Sequence, residues 1–394
     1  MPYPFAARSA LLPTAAEKRA LEDTGPAEVS MHALSWRRAT VGVALLTLVL
    51  SACKYTGFGN ASAAGGVSAA VAYLKTQQQA DGGFEVAGSP GFETPDALLA
   101  IAEGGQTAYF WNQAEALAAV QAVTKNGHSA LDYLDDFVDS TTSPITAGQA
   151  AKIIVLDVEP LGLDPTAFNP QNDATSKNLV AIMDAGLQPS GSYGTFNATL
   201  YAALADSLVH GSVPATTLAS IRAAQQSNGG FNFAGDSTGT DLDVDTTSLA
   251  IQALAAANVD PNDTTLVKAL QFLVDTQQAD GSWQSFGESD PNSTSLAIIG
   301  LTAAGFDPTV SCWRDTIDPQ KAGTAYASPV AWLLSQQVAS GADAGRIKSP
   351  SDGFGINTFP TSQSVEALAR GWLPQRFLAR RSCDVSSSVN TSGI

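Results

Sequence analysis

Through most of the chain, apolar residues return every three or four positions. They fall in blocks that open on Asp, Ser or Thr and close on Gly or Asn before an Asp-Pro step. Thr246-Thr247-Ser248-Leu249-Ala250-Ile251-Gln252-Ala253-Leu254 and Ser293-Thr294-Ser295-Leu296-Ala297-Ile298-Ile299-Gly300-Leu301 are two such blocks. The 3.6-residue period predicts helices, and the opening hydroxyls and carboxylates can accept bonds from first-turn amides. Closures read Gly162-Leu163-Asp164-Pro165, Asn258-Val259-Asp260-Pro261 and Gly305-Phe306-Asp307-Pro308. Pairing the blocks predicts six helical hairpins: 66–80 with 94–104, 113–138 with 145–158, 176–187 with 196–209, 215–227 with 243–257, 264–278 with 292–305, and 326–340 with 361–372.

The hairpins share a turn. Paired glutamines, a polar step, glycine and an aromatic follow one another in Gln78-Gln79-Ala80-Asp81-Gly82-Gly83-Phe84. The same order returns in Gln225-Gln226-Ser227-Asn228-Gly229-Gly230-Phe231 and in Gln277-Gln278-Ala279-Asp280-Gly281-Ser282-Trp283. A looser copy runs from Gln336-Gln337 to Asp352-Gly353-Phe354, and Ser190-Gly191-Ser192-Tyr193-Gly194 keeps the turn without the glutamines. Gln78, Gln226 and Gln278 with Phe84, Phe231, Trp283 and Phe354 are read as structural staples of the repeat. A hairpin that buries one face must stack on a neighbour, so six of them predict an all-α α6/α6 toroid of inner and outer helices over 67–373, with an open solenoid as the second choice.

The first residues break this period. Val41–Leu50 is an uncharged apolar run directly after Arg37 and Arg38, too short for a permanent membrane span and of the right length for an export signal. It ends in Leu50-Ser51-Ala52-Cys53, which resembles the lipobox of bacterial lipoproteins. The resemblance implies lipidation of Cys53, cleavage before it, and an extracytoplasmic protein anchored to the cell membrane. The expected layout is a signal region 1–52 with its start at Met31, a small-residue tether 53–66, the helical domain and a tail 374–394. In an exported chain Cys312 and Cys383 are expected to pair as a disulfide.

The net charge of −17 excludes nucleic acid as a partner, for no basic patch interleaved with aromatics offsets it. A monomer is expected. No nucleophile elbow, phosphate loop or His-Glu-x-x-His helix is present, and no metal site or bound cofactor is expected.

The glutamine–aromatic turns resemble the repeats of the terpenoid cyclase and protein prenyltransferase superfamily, whose domains are α/α toroids. Related toroids imply cobalamin or an isoprenoid as a ligand, held in the mouth of the ring. Asp241-Leu242-Asp243-Val244-Asp245-Thr246-Thr247 is similar to the protonating Asp-x-Asp-Asp-Thr motif of class II terpene cyclases, with Thr246 in place of the last aspartate. The resemblance implies Asp245 as proton donor, with Asp243 and Thr246 beside it. Three other readings of these residues stand alongside. Asp245 can be a helix cap, which is the expected outcome; Asp236, Asp241, Asp243 and Asp245 can bind calcium; and paired carboxylates can process glycans. A binding role without catalysis is preferred, because class II cyclases use two helical barrels and 8% aromatics is sparse for a carbocation cavity.

Overall fold

The computed structural model describes residues 61–372, except 87–88, 108–109 and 311. These lie within the second of two units, Cys53–Ile394. Cys53, with the expected anchor, and Cys383, with the expected disulfide, fall outside the described residues. Among the described residues no helix is long and apolar enough to cross a membrane.

The fold is mostly helical. In chain order the helices are α1 (Ala61–Gln77), α2 (Thr94–Gly105), α3 (Gln113–Gln121), α4 (Ala130–Asp139), α5 (Ala147–Ile153), α6 (Glu159–Leu161), α7 (Leu179–Asp184) and α8 (Phe196–Val209). They continue as α9 (Ala215–Ala223), α10 (Val244–Ala256), α11 (Thr264–Thr276), α12 (Pro291–Ala303), α13 (Cys312–Ile317), α14 (Pro329–Ser335) and α15 (Phe359–Ala369). A π-helical stretch, Ile154–Val158, joins α5 to α6.

Burial divides them into two sets. Every residue of α10 except Asp245 is buried, as are Thr94–Glu103 of α2 and Pro360–Leu368 of α15. Helices surrounded on all sides need small residues, and Ala100, Ala203, Ala253, Gly300 and Ala367 supply them. Helices such as α11 bury one stripe, Leu266, Ala269, Leu270, Phe272, Leu273 and Val274, and leave the other face to solvent. Together with α5, α8 and α12, which leave some residues partly exposed, the enclosed helices pack in the order α2, α5 with its π-helical extension, α8, α10, α12 and α15, and α15 packs back on α2. Polar bonds reinforce that last contact. Glu93 accepts from Thr358 N and Oγ1 (3.2 and 2.7 Å), and Glu103 accepts from Gly371 N and Trp372 N.

Some boundaries differ from the periodic reading. The block expected as one helix over 113–138 is two helices, α3 and α4. An Asn126-Gly127 hairpin with positive φ at both residues pairs Thr124 with Ser129 between them. The helix expected over 361–372 is α15, which starts two residues earlier and stops where Arg370 turns left-handed at φ 50°.

The repeat turns share one hydrogen-bond scheme. Side-chain Nε2 atoms of Gln78, Gln225 and Gln277 donate to the carbonyl four residues ahead, at Gly82, Gly229 and Gly281 (3.0, 2.9 and 3.0 Å). The bonding glutamine is therefore the first of each pair, Gln225 and Gln277 in place of the expected Gln226 and Gln278. Gln226 reaches Asp241 and Thr238 O instead, and Gln278 reaches Thr276 O. The residue at the aromatic position then donates its N–H to a buried threonine of the next enclosed helix. Phe84 bonds Thr94, Tyr193 bonds Thr199, Phe231 bonds Thr247 and Trp283 bonds Thr294, all at 2.9–3.0 Å. In the last repeat Gln337 bonds Gly345 O and Ile347 N bonds Thr361 Oγ1. Ile347, and not Phe354, therefore fills the aromatic position, because the inserted residues precede the glycine. Gly281 shows why glycine is needed: its φ is 97°, and a Cβ there would lie 2.7 Å from Ala327 O.

Candidate functional site

The threonine anchors fix what the enclosed helices present at their N-terminal ends. The residue two places before each anchor is Phe92, Asn197, Asp245, Asn292 and Phe359. Four of these five, all but Asn292, line one cavity of about 390 Å³. Gly148, Gln149 and Lys152 of α5, Tyr201 of α8, Leu249 of α10 and Leu296 of α12 complete much of the wall. The volume is in the range of small-molecule sites, and the lining mixes apolar and aromatic residues with polar ones such as Thr146, Gln149, Lys152 and Asn197.

Asp245 is the one carboxylate in that lining. It does not cap its helix. The cap is Asp243, whose Oδ1 accepts from Thr246 N (2.9 Å) and whose Oδ2 accepts from Thr246 Oγ1 (2.7 Å). The expectation that Asp245 is the cap is thus corrected: a capping side chain must precede the first turn, and Asp245 lies inside it, turned to the cavity. One of its carboxylate oxygens is buried without a hydrogen-bond partner. Burial lifts the Asp245 carboxyl to about 7; the Asp243 and Asp290 charges add to this, and the Ser293 hydroxyl opposes it. Thr246 lines the cavity through its position and spends its hydroxyl on Asp243.

Calcium is not what these aspartates are arranged to hold. Asp241 accepts from Asn232 and Gln226, and Asp236 accepts from Thr238, so each closes its own loop. Among the described residues they form no group with cation-binding spacing.

A second group of charges, missed at the level of sequence, adjoins the cavity. Lys152 forms a 2.6 Å ion pair with Asp96, donates to Phe92 O (2.7 Å), and stands 5.0 and 5.7 Å from the ring centres of Phe92 and Phe359. Burial works against its charge, but Asp96 holds its pKa above the usual lysine range. Gln363, in the cavity wall, donates to Asp96 Oδ1 (3.2 Å) and accepts from Asn292. Asp157, carried by the π-helical stretch, and Glu366 are buried too. Burial and the neighbouring Asp96 push both carboxyls well above their ordinary range. Glu103 is raised by burial to about 8, although it accepts main-chain bonds from Trp372 and Gly371. The signal in the sequence was a charge within a helix that the periodic pattern buries, at Asp96, Lys152, Asp157 and Glu366.

No protein-family model matches the chain, and no curated protein matches it. Solved structures do. The apo type II terpene cyclase MstE from Scytonema superposes with a TM-score of 0.52 at 15% identity, covering 78% of this chain and 97% of the cyclase. A variant of that cyclase holding geranylgeranyl dihydroxybenzoate, its substrate, gives 0.54 at 13% identity over 79% and 97%. A further variant holding merosterolic acid A, its product, gives 0.50 at 15% identity over 78% and 96%. Because this chain spans nearly the whole of a cyclase, the expectation that a cyclase needs a second helical barrel fails. At such low identity the likeness bears on architecture alone: the chain has a terpene-cyclase-like helical fold.

Proposed function

We propose that the chain binds an apolar ligand of the isoprenoid class in the cavity at the N-terminal ends of its enclosed helices, and protonates an alkene of that ligand through Asp245. The single observation that carries the reading is the Asp245 carboxyl, partly buried, with an unpartnered oxygen, in the wall of a cavity that Phe92, Phe233, Phe359, Leu249 and Leu296 make partly apolar. A carboxylic acid can donate to carbon only if it holds its proton until the ligand has displaced water, and its raised pKa provides that. The carboxyl proton passes to the alkene carbon, the π pair forms the new C–H bond, and a tertiary cation and the Asp245 carboxylate remain. An internal alkene closes on the cation, and loss of a proton to water gives a cyclised isomer without any oxidant. Phe92, Phe233, Phe359 and Tyr201 put aromatic rings in the cavity wall, a setting that favours such a cation. Asp243 acts as a positioning residue, fixing the first turn and adding its field.

The helices are read as an α6/α6 toroid, since six enclosed helices follow one another and the last meets the first. The anchor completes the proposal: Cys53 carries lipid and holds a monomeric domain outside the cytoplasmic membrane, with Cys312 and Cys383 paired. Intact mass of the membrane fraction tests the lipid, and non-reducing peptide mapping tests the disulfide.

The decisive experiment incubates the purified chain with a geranylgeranyl alkene and analyses extracts by mass spectrometry. Cyclised product is expected, falling away as pH rises above 7 and abolished in Asp245→Asn with the helical circular dichroism intact. Saturable binding with no product would overturn protonation and leave a binding module. Absence of binding would overturn both.

A further inference from the structure

The far end of α8 carries a constellation unrelated to the cavity. Asp206 and His210 are four residues apart, so they share a helix face. Asp184, the last residue of α7, faces them. His210 Nε2 is 3.1 Å from Asp184 Oδ1 and 3.9 Å from Asp206 Oδ1, and one ligand atom from each of the three lies within 4.8 Å of the others. Oxygen and imidazole ligands about 2.0–2.2 Å from one metal ion stand roughly 3–3.5 Å apart, so small side-chain adjustments would close this set on a cation.

Two further observations favour a cation over a simple ion pair. Asp206 is only 1% exposed; its Oδ2 accepts from Tyr193 OH (2.9 Å), while Oδ1 accepts no hydrogen bond among the described residues and stands open toward His210. A phenol that orients a carboxylate and leaves its second oxygen available is the kind of support that metal-bound carboxylates receive. The carboxylate also sits in the last turn of α8, where the helix dipole already places negative charge. With Asp184 beside it, one imidazole is too little positive charge to balance the group.

We propose that Asp184, Asp206 and His210 bind a divalent transition-metal ion of the zinc class, clamping the end of α7 to the end of α8. The mixed carboxylate–imidazole set suits zinc better than magnesium, which keeps to oxygen ligands. Asp206 lies five residues, about 7.5 Å of helix rise, beyond Tyr201, the last α8 residue of the cavity wall, and none of the three ligands lines the cavity, so the site acts on the fold and takes no part in the chemistry proposed at Asp245.

The test uses the full chain stripped of metal with a chelator and titrated with zinc chloride by calorimetry, with the melting temperature read in parallel. One zinc per chain is expected, with a rise in melting temperature that magnesium does not reproduce. His210→Ala and Asp184→Asn, both at half-exposed side chains that the fold can spare, should abolish the heat and the rise. Tyr193→Phe should weaken binding 10–100-fold while leaving one site. No heat and no rise at a large excess of zinc would overturn the proposal. So would binding that is unchanged in His210→Ala, which would place the ion elsewhere.

Discussion

The first turns of α10 and α12 are built to one plan and differ in charge at one position. Each follows a glutamine–glycine turn, each opens on a capping aspartate (Asp243, Asp290), and each carries a buried threonine four residues later that receives the N–H of the turn aromatic. Between cap and anchor, α10 places Asp245 and α12 places Asn292. Asn292 donates to Gln363 and is satisfied. Asp245 keeps an oxygen without a partner and a carboxyl lifted to about 7, chiefly by burial. The shared parts hold the helix in place, so the part that departs from the plan, at a cost in buried charge, is where function is to be sought.

The shared plan is the part whose loss costs most. Trp283 is fully buried, meets Trp313 at 6.0 Å between centroids, and donates from Nε1 to Leu273 O. Trp283→Ala is expected to destabilise by about 3–5 kcal/mol in chemical denaturation. A small effect would mean that the turns do not staple the fold. Next come the anchors: Thr294→Val and Thr247→Val each leave a buried main-chain N–H unpaired, and each should cost about 1–3 kcal/mol. If only one of the two costs this much, the repeats are not equivalent. Removing a cap, Asp243→Ala or Asp290→Ala, should cost about 0.5–2 kcal/mol.

The pH dependence of stability sharpens the contrast itself. A carboxyl whose pKa is higher in the folded chain favours folding fully below its unfolded value near 3.8, and that contribution is lost as pH rises toward about 7. Asp245→Asn, which gives α10 the group of α12, should therefore flatten the fall of denaturation midpoint with pH across that window. Asn292→Asp should steepen it. An unchanged slope in Asp245→Asn would show that the Asp245 carboxyl is not raised.

Much of the architecture was legible along the chain. The helical period, the capping residues and the recurring Gln–Gly–aromatic turn mark six hairpins, because each is a local consequence of backbone bonding and side-chain spacing. The split of 113–138 was also written there, in Asn126-Gly127, a pair suited to a hairpin turn. The last repeat is not legible in the same way, since Gly345-Arg346-Ile347 lacks the aromatic that marks the other copies and Phe354 supplies one seven residues further on.

The site was legible as a list of residue types and not as roles. Sequence by itself determined that two aspartates, Asp243 and Asp245, flank the start of α10, and that isolated charges interrupt the apolar helices. It could not say which aspartate caps, since a shift of two residues exchanges cap and cavity wall, and that register is set by the bond from Phe231 N to Thr247 of the next helix. Nor could it bring together Asp96, Lys152 and Gln363, or Asp184 and His210, which are far apart along the chain. Their pairing, and the raised pKa of Asp245, come from burial among neighbouring helices, and burial exists only once those helices have packed.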